Sequence, residues 1–152
     1  SWRDMGLPRK ARELTLQFFY GYDLQEHPFA EAILSREAEE FYTCFHNDEK
    51  ARPYADQLIK GICARRQEID KALADCSHRW RVERMALIDR NILRIAAYEL
   101  LYSRDDVPAT VAINEALEIA KRYAEPESIS FINGILDSLQ GRKASSPEAG
   151  ES

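Results

Sequence analysis

"DVPATVAINEALEIAKRYA", Asp106 to Ala124, decides how the chain is read. Asp106 and Pro108 are turn residues that lead into a helix. Ala112, Ile113, Ala116, Leu117, Ile119, Ala120 and Tyr123 then fall on one broad face at 100° per residue. Glu115, Glu118 and Arg122 fall opposite. That periodicity defines an amphipathic helix with its apolar side turned to a core.

The pattern extends both ways. Before it, "RMALIDRNILRIAAYELLYS" places Ile88, Ile92 and Ile95 on one face and Leu87, Tyr98 and Leu101 on another. A helix apolar on so many sides is central and buried. Glu99 lies on the isoleucine side, where a carboxylate needs a partner. Ala86, Arg90, Leu93 and Ala97 form a stripe that reads either as tight helix packing or as a flat partner surface. After it, "EPESISFINGILDSLQG" places Phe131, Ile132, Ile135, Leu136 and Leu139 together, with Gly134 pointing to close approach of another backbone. Residues 53–74 keep helical period through Tyr54, Leu58, Ile62, Ile69 and Leu73. Residues 29–45 carry Phe29, Ile33, Leu34, Phe41 and Phe45 among many glutamates. Gly and Pro number only 6 each in 152 residues, which favours long helices.

The resulting fold class is all-α, six or seven helices. A flexible N-terminus (1–7) precedes a helical domain (8–140), with halves at about 8–76 and 77–140. Residues 141–152, "GRKASSPEAGES", hold no apolar anchor and read as a disordered tail.

Charge is unevenly placed. The formal net charge is −5, and residues 25–50 hold seven acids against two bases. Yet residues 1–12 hold Arg3, Arg9, Lys10 and Arg12 against Asp4 alone. Pro8 suits the first turn of a helix. Cations there gain nothing from the macrodipole, which favours anions at a helix N-terminus. Leu7, Ala11, Leu14, Phe18 and Tyr22 form that helix's core face, and Arg9, Arg12, Leu16 and Tyr20 line the opposite side. Cations for phosphates, beside a ring that can stack on a base, suit single-stranded nucleic acid.

Other chemistry finds little support. There is no GxSxG, P-loop or Gly-rich dinucleotide turn, and the carboxylates keep the spacing of solvated helix faces. Cys44, Cys63 and Cys76 form no CxxC pair, and His27, His46 and His78 are scattered. Reduced thiols and no metal are expected. No apolar run approaches a membrane span.

The chain resembles the NusB family of transcription antitermination factors. The likeness is carried by "ARELTLQFFYGYDLQ" near the start, by "NILRIAAYELLYSRDDVPATVAINEALEIAKRYA", and by "SISFINGILD". It implies two small helical bundles packed together and a non-catalytic, cytoplasmic bacterial protein without cofactor. It further implies binding of single-stranded boxA RNA of ribosomal RNA leader transcripts, together with the ribosomal protein NusE, as an adaptor to elongating RNA polymerase. Arg9, Lys10 and Arg12 match the family's basic N-terminus, and Tyr20 its following aromatic. Glu127 and Phe131 match its second RNA-contacting segment. Asp89 and Arg90 are expected on the NusE side. Some relatives self-associate, so a homodimer stays open. Two alternatives also stand: the NusB-like accessory domain of an RNA cytosine methyltransferase, and a helical protein-interaction module without RNA binding. The segment from Glu127 to Phe131 brings no cation, so the N-terminal cluster is expected to supply most of the attraction.

Overall fold

In the computed structural model the described residues are 6–22, 31–44, 49–78 and 81–145. They form α1 (Leu7–Gly21), α2 (Glu31–Thr43), α3 (Arg52–Ala64), α4 (Arg66–Ser77), α5 (Leu87–Tyr102), α6 (Ala109–Tyr123) and α7 (Pro126–Ser145). A 3₁₀ turn, Val82–Arg84, leads into α5. Among the described residues there is no strand. The chain is all-α, as its periodicity requires.

The helices fall into two compact units, residues 1–65 and 66–152. In the first, α1 packs chiefly on α3. Ala11, Leu14, Phe18, Phe19 and Tyr22 of α1 are buried, as are Ala55, Leu58, Ile59 and Ile62 of α3. Phe18 is the hub of an aromatic cluster. Its ring centroid lies 5.3 Å from Phe19, 5.2 Å from Tyr22 and 5.5 Å from Phe41 of α2. Such offset and edge-on pairs add roughly 0.5–1.5 kcal/mol each beyond the area they bury. Arg52 reaches from α3 to α2, stacking 4.2 Å over Tyr42 and pairing with Glu39 at 2.7 Å.

The second unit is built on α5. Asn91, Ile92, Leu93, Ile95, Ala96, Ala97, Glu99 and Leu100 are all buried, and α4, α6 and α7 pack around this helix. Leu93, Ala97 and Arg90 are interior, so the small-residue stripe is packing surface; only Ala86 at its start is exposed. Glu99 is fully buried, a structural carboxylate. On α6 the apolar face is buried as its spacing dictates, apart from half-buried Leu117 and exposed Tyr123.

An ionic contact ties α4 to α5. Arg94 is wholly buried and grips Asp70 with two bonds, Nε to Oδ1 at 2.9 Å and Nη2 to Oδ2 at 3.0 Å. Its Nη1 donates to Asn91 Oδ1 at 3.3 Å. Arg66 Nε adds a 3.4 Å contact to Asp70 Oδ2. This parallel fork is the geometry only arginine offers a carboxylate.

Four sequence expectations need correction. The single helix over 53–74 is two helices, parted at Arg65, whose N–H bonds Gly61 O at 3.1 Å. Ile62 and Ile69 stand seven residues apart, two helical turns, so the break leaves the apolar period in phase and hides itself. The division between halves therefore falls at Arg65–Arg66 rather than near residue 76, because Ile69 and Leu73 of α4 belong with α5 and α7. Leu7 already opens α1, and α7 runs past residue 140 to Ser145. There Arg142 Nη1 donates to Cys76 Sγ at 3.7 Å and approaches Asp75 at 3.5 Å, which anchors the added turn. Finally, a Cβ at Gly134 would meet nothing within 4 Å, so no backbone approaches it closely. Gly134→Ala should therefore stabilise the protein by about 0.5–1 kcal/mol, since only the glycine's excess unfolded-state entropy is lost. Urea denaturation checks this; a destabilised variant would mean the position is not open. The expectations for residues 1–5, for Phe29, Phe45, His27 and His46, and for 146–152 lie outside the described residues.

Candidate RNA-binding surfaces

α1 carries the first surface. From Ala11 to Phe19 it is buried all round except at Gln17. Arg12 is only 3% exposed, with its guanidinium 5.9 Å from the Tyr54 ring centroid, and Leu16 is buried too. This corrects the expectation that Arg9, Arg12, Leu16 and Tyr20 form the open side. The reason is that α1 is enclosed on more of its circumference than a surface helix would be. Arg12 thus helps hold α3, and truncating it would change stability as well as charge.

The open strip instead runs through half-buried Arg9 and exposed Lys10, Gln17 and Tyr20. Tyr20 is 65% exposed, the most open of the large hydrophobic side chains in the described residues. Arg9 and Tyr20 are eleven residues apart, within about 20° of one line and roughly 16 Å along the axis. Gln17 was missing from the sequence reading. Its place between Lys10 and Gly21, seven and four residues away, was the signal available. No acid occupies the first turn of α1, so the helix start itself carries only positive side-chain charge, Arg9 and Lys10. A strip with cations at one end and an exposed ring at the other can hold a phosphate and stack a base.

The second surface lies wholly in the second unit. Arg84, Met85, Ala86, Asp89, Glu127, Ser128 and Phe131 line a groove of about 340 Å³. It forms where the 3₁₀ turn and the start of α5 face the first turns of α7. Met85, Ala86 and the half-buried Phe131 ring give it apolar walls, and Arg84 and Glu127 rise exposed at its edge. The volume sits at the small end of ligand clefts, roughly 300–1,000 Å³.

Asp89 and Arg90 are not the exposed pair expected for a protein partner. They are 7% and 8% exposed. Asp89 accepts a 2.6 Å bond from Ser128 Oγ and stands in the first turn of α5, where the macrodipole favours an anion. It fastens α7 to α5 and forms part of the groove. Arg90 turns inward, and its Nη1 donates to Glu83 O at 3.3 Å and Met85 O at 3.4 Å. Both residues build the groove from behind. Sequence geometry placed them on a flank of α5 but could not foresee that the 3₁₀ turn covers that flank.

The helical scaffold thus presents two candidate surfaces, a basic strip with an open ring and an apolar slot with charged edges. Among the described residues no group of three or more His, Cys, Asp or Glu is placed to hold a metal, and no helix is long and apolar enough to cross a membrane.

The NusB family model matches residues 9–141. The transcription antitermination protein NusB of Trichlorobacter lovleyi is 43% identical over 136 residues, which cover 90% of this chain and 92% of that protein. The protein of the same name from Desulfosudis oleivorans is 42% identical over 148 residues, 95% and 94% of the two chains. Among solved structures, T. maritima NusB superposes with a TM-score of 0.71 at 34% identity, covering 91% of this chain and 96% of that one. The crystal structure of antitermination factors NusB and NusE in complex with dsRNA shares the fold, with a TM-score of 0.73 at 20% identity over 91% of this chain and 98% of that one. This chain belongs to the NusB family.

Proposed function

We propose that this chain is a transcription antitermination factor of the bacterial cytoplasm. It binds single-stranded boxA-like RNA together with NusE and acts as a non-catalytic adaptor to elongating RNA polymerase. The observation that carries this reading is Tyr20. A large ring held 65% open lies on the same line as Arg9. Exposed to water it wastes apolar area; stacked on a base it gains.

In this reading Arg9 and Lys10 hold phosphates of the RNA and Tyr20 stacks on a base. Arg12 contributes charge from beneath while packing against Tyr54. In the second unit, the Phe131 ring faces a second base and the Glu127 carboxylate accepts a hydrogen bond from a base amino group. Asp89 and Arg90 serve by shaping that groove. The relatives named for antitermination match over nearly their whole length, which favours this reading over an accessory domain of a methyltransferase.

Tyr20→Ala tests it. Affinity for a boxA-like oligoribonucleotide should fall by about 1–3 kcal/mol, tenfold or more, because one stacking platform is removed. The melting temperature should hold, since the side chain packs on little. Fluorescence anisotropy and a thermal scan read the two effects. Unchanged affinity would count against the ring as a stacking platform and against the reading built on it.

A further inference from the structure

The groove of the second unit holds a cation that comes from outside the α7 segment. Arg84 lies 43 residues before Glu127 in the chain, yet shares its groove. Its side chain is exposed and forms no ion pair among the described residues. Resting on the RNA reading above, we propose that Arg84 is a phosphate-binding residue of the RNA surface. We further propose that buried Arg90 is the positioning residue that holds it there.

Three observations support this. First, the groove otherwise carries only acids, Asp89 and Glu127. Asp89 is occupied by Ser128 and the start of α5. Glu127 is open, and by itself would repel an RNA backbone. A guanidinium in the same groove offsets that repulsion and offers a planar fork to a phosphate. Second, the Phe131 ring lines the same groove as Arg84, so a nucleotide stacked on that ring brings its phosphate near Arg84.

Third, the turn bearing Arg84 is braced. Val82 and Met85 are buried on either side of it. Arg84 N–H bonds Arg81 O at 2.9 Å, and Met85 N–H bonds Val82 O at 3.2 Å. The carbonyls of the two residues flanking Arg84 both accept from Arg90 Nη1. A loop merely capping a helix needs no buried guanidinium on both flanks of one exposed arginine. The brace lowers the ordering cost of a contact made by a long, rotamer-rich side chain.

The test compares the full chain with its Arg84→Ala variant. Binding of a boxA-like oligoribonucleotide is titrated across a salt series, with and without NusE. Loss of one phosphate contact should weaken binding about five- to tenfold at low salt and flatten the slope of log K against log salt by about 0.7. Arg90→Ala should weaken binding in the parent background and add little in the Arg84→Ala background. Failure of the unmodified chain to bind RNA at all would sink the RNA reading and this one with it. Normal binding by the parent, with the Arg84→Ala variant equal to it in affinity and salt slope, would overturn only the assignment of Arg84. So would a variant that binds RNA normally but loses affinity for NusE alone.

Discussion

Asp70→Ala should destabilise the protein by about 3–5 kcal/mol, the cost of leaving a buried charge without its partner. Arg94 is wholly buried, and Asp70 accepts two of its bonds at 2.9 and 3.0 Å. A guanidinium cannot shed its charge at neutral pH, so it must stay buried without the Asp70 carboxylate, or drag water into the contact of α4 with α5. For a domain of this size a loss so large would move the melting temperature by roughly 10 °C or more. Asn91, 3.3 Å from Nη1, can take up only part of the demand. The double variant Asp70→Leu with Arg94→Met should recover much of the loss, since apolar replacements remove both charges together. Urea denaturation of the three variants measures this directly. A single-variant loss below about 1 kcal/mol would mean that the pair is solvated and contributes like an ordinary surface bridge.

That pair also marks where the sequence stops being legible. Arg94 sits among "NILRIAAYELL", and its neighbours declared the helix buried on most sides. An arginine in that position could equally have reached the surface along its aliphatic stem. Its partner is 24 residues away on α4, a helix that the in-phase period from Ile62 to Ile69 had fused with α3. Local periodicity fixes which faces are apolar; it carries no record of which helix covers which face. The same limit explains Arg12. Its spacing put it opposite Leu14 and Phe18, correctly, but the far side of α1 is also enclosed. It explains Asp89 and Arg90 as well: α7 meets Asp89 through Ser128, and the 3₁₀ turn meets Arg90.

What local pattern does determine came through. The broad face of α6 is buried, Tyr20 is open, and Pro8 stands in the first turn of α1. The candidate residues Glu127 and Phe131 share one groove, as their spacing of four on α7 allows. That segment itself holds no cation, but Arg84 lines the same groove from a distant turn. Only folding could bring it there.

The central claim is that an acidic chain binds RNA through a few well-placed cations. If Arg9, Lys10 and Arg84 each hold one phosphate as proposed, each contributes about 0.7 to the salt slope for a single strand, or about 2 in all. The decisive measurement is the affinity of the full chain for a boxA-like oligoribonucleotide at 50 and 200 mM salt, with and without NusE. The account predicts binding at the lower salt and about a twentyfold loss on the fourfold increase, with a scrambled sequence bound more weakly. No binding at 50 mM salt, even with NusE present, would contradict it, and so would an affinity that salt leaves unchanged.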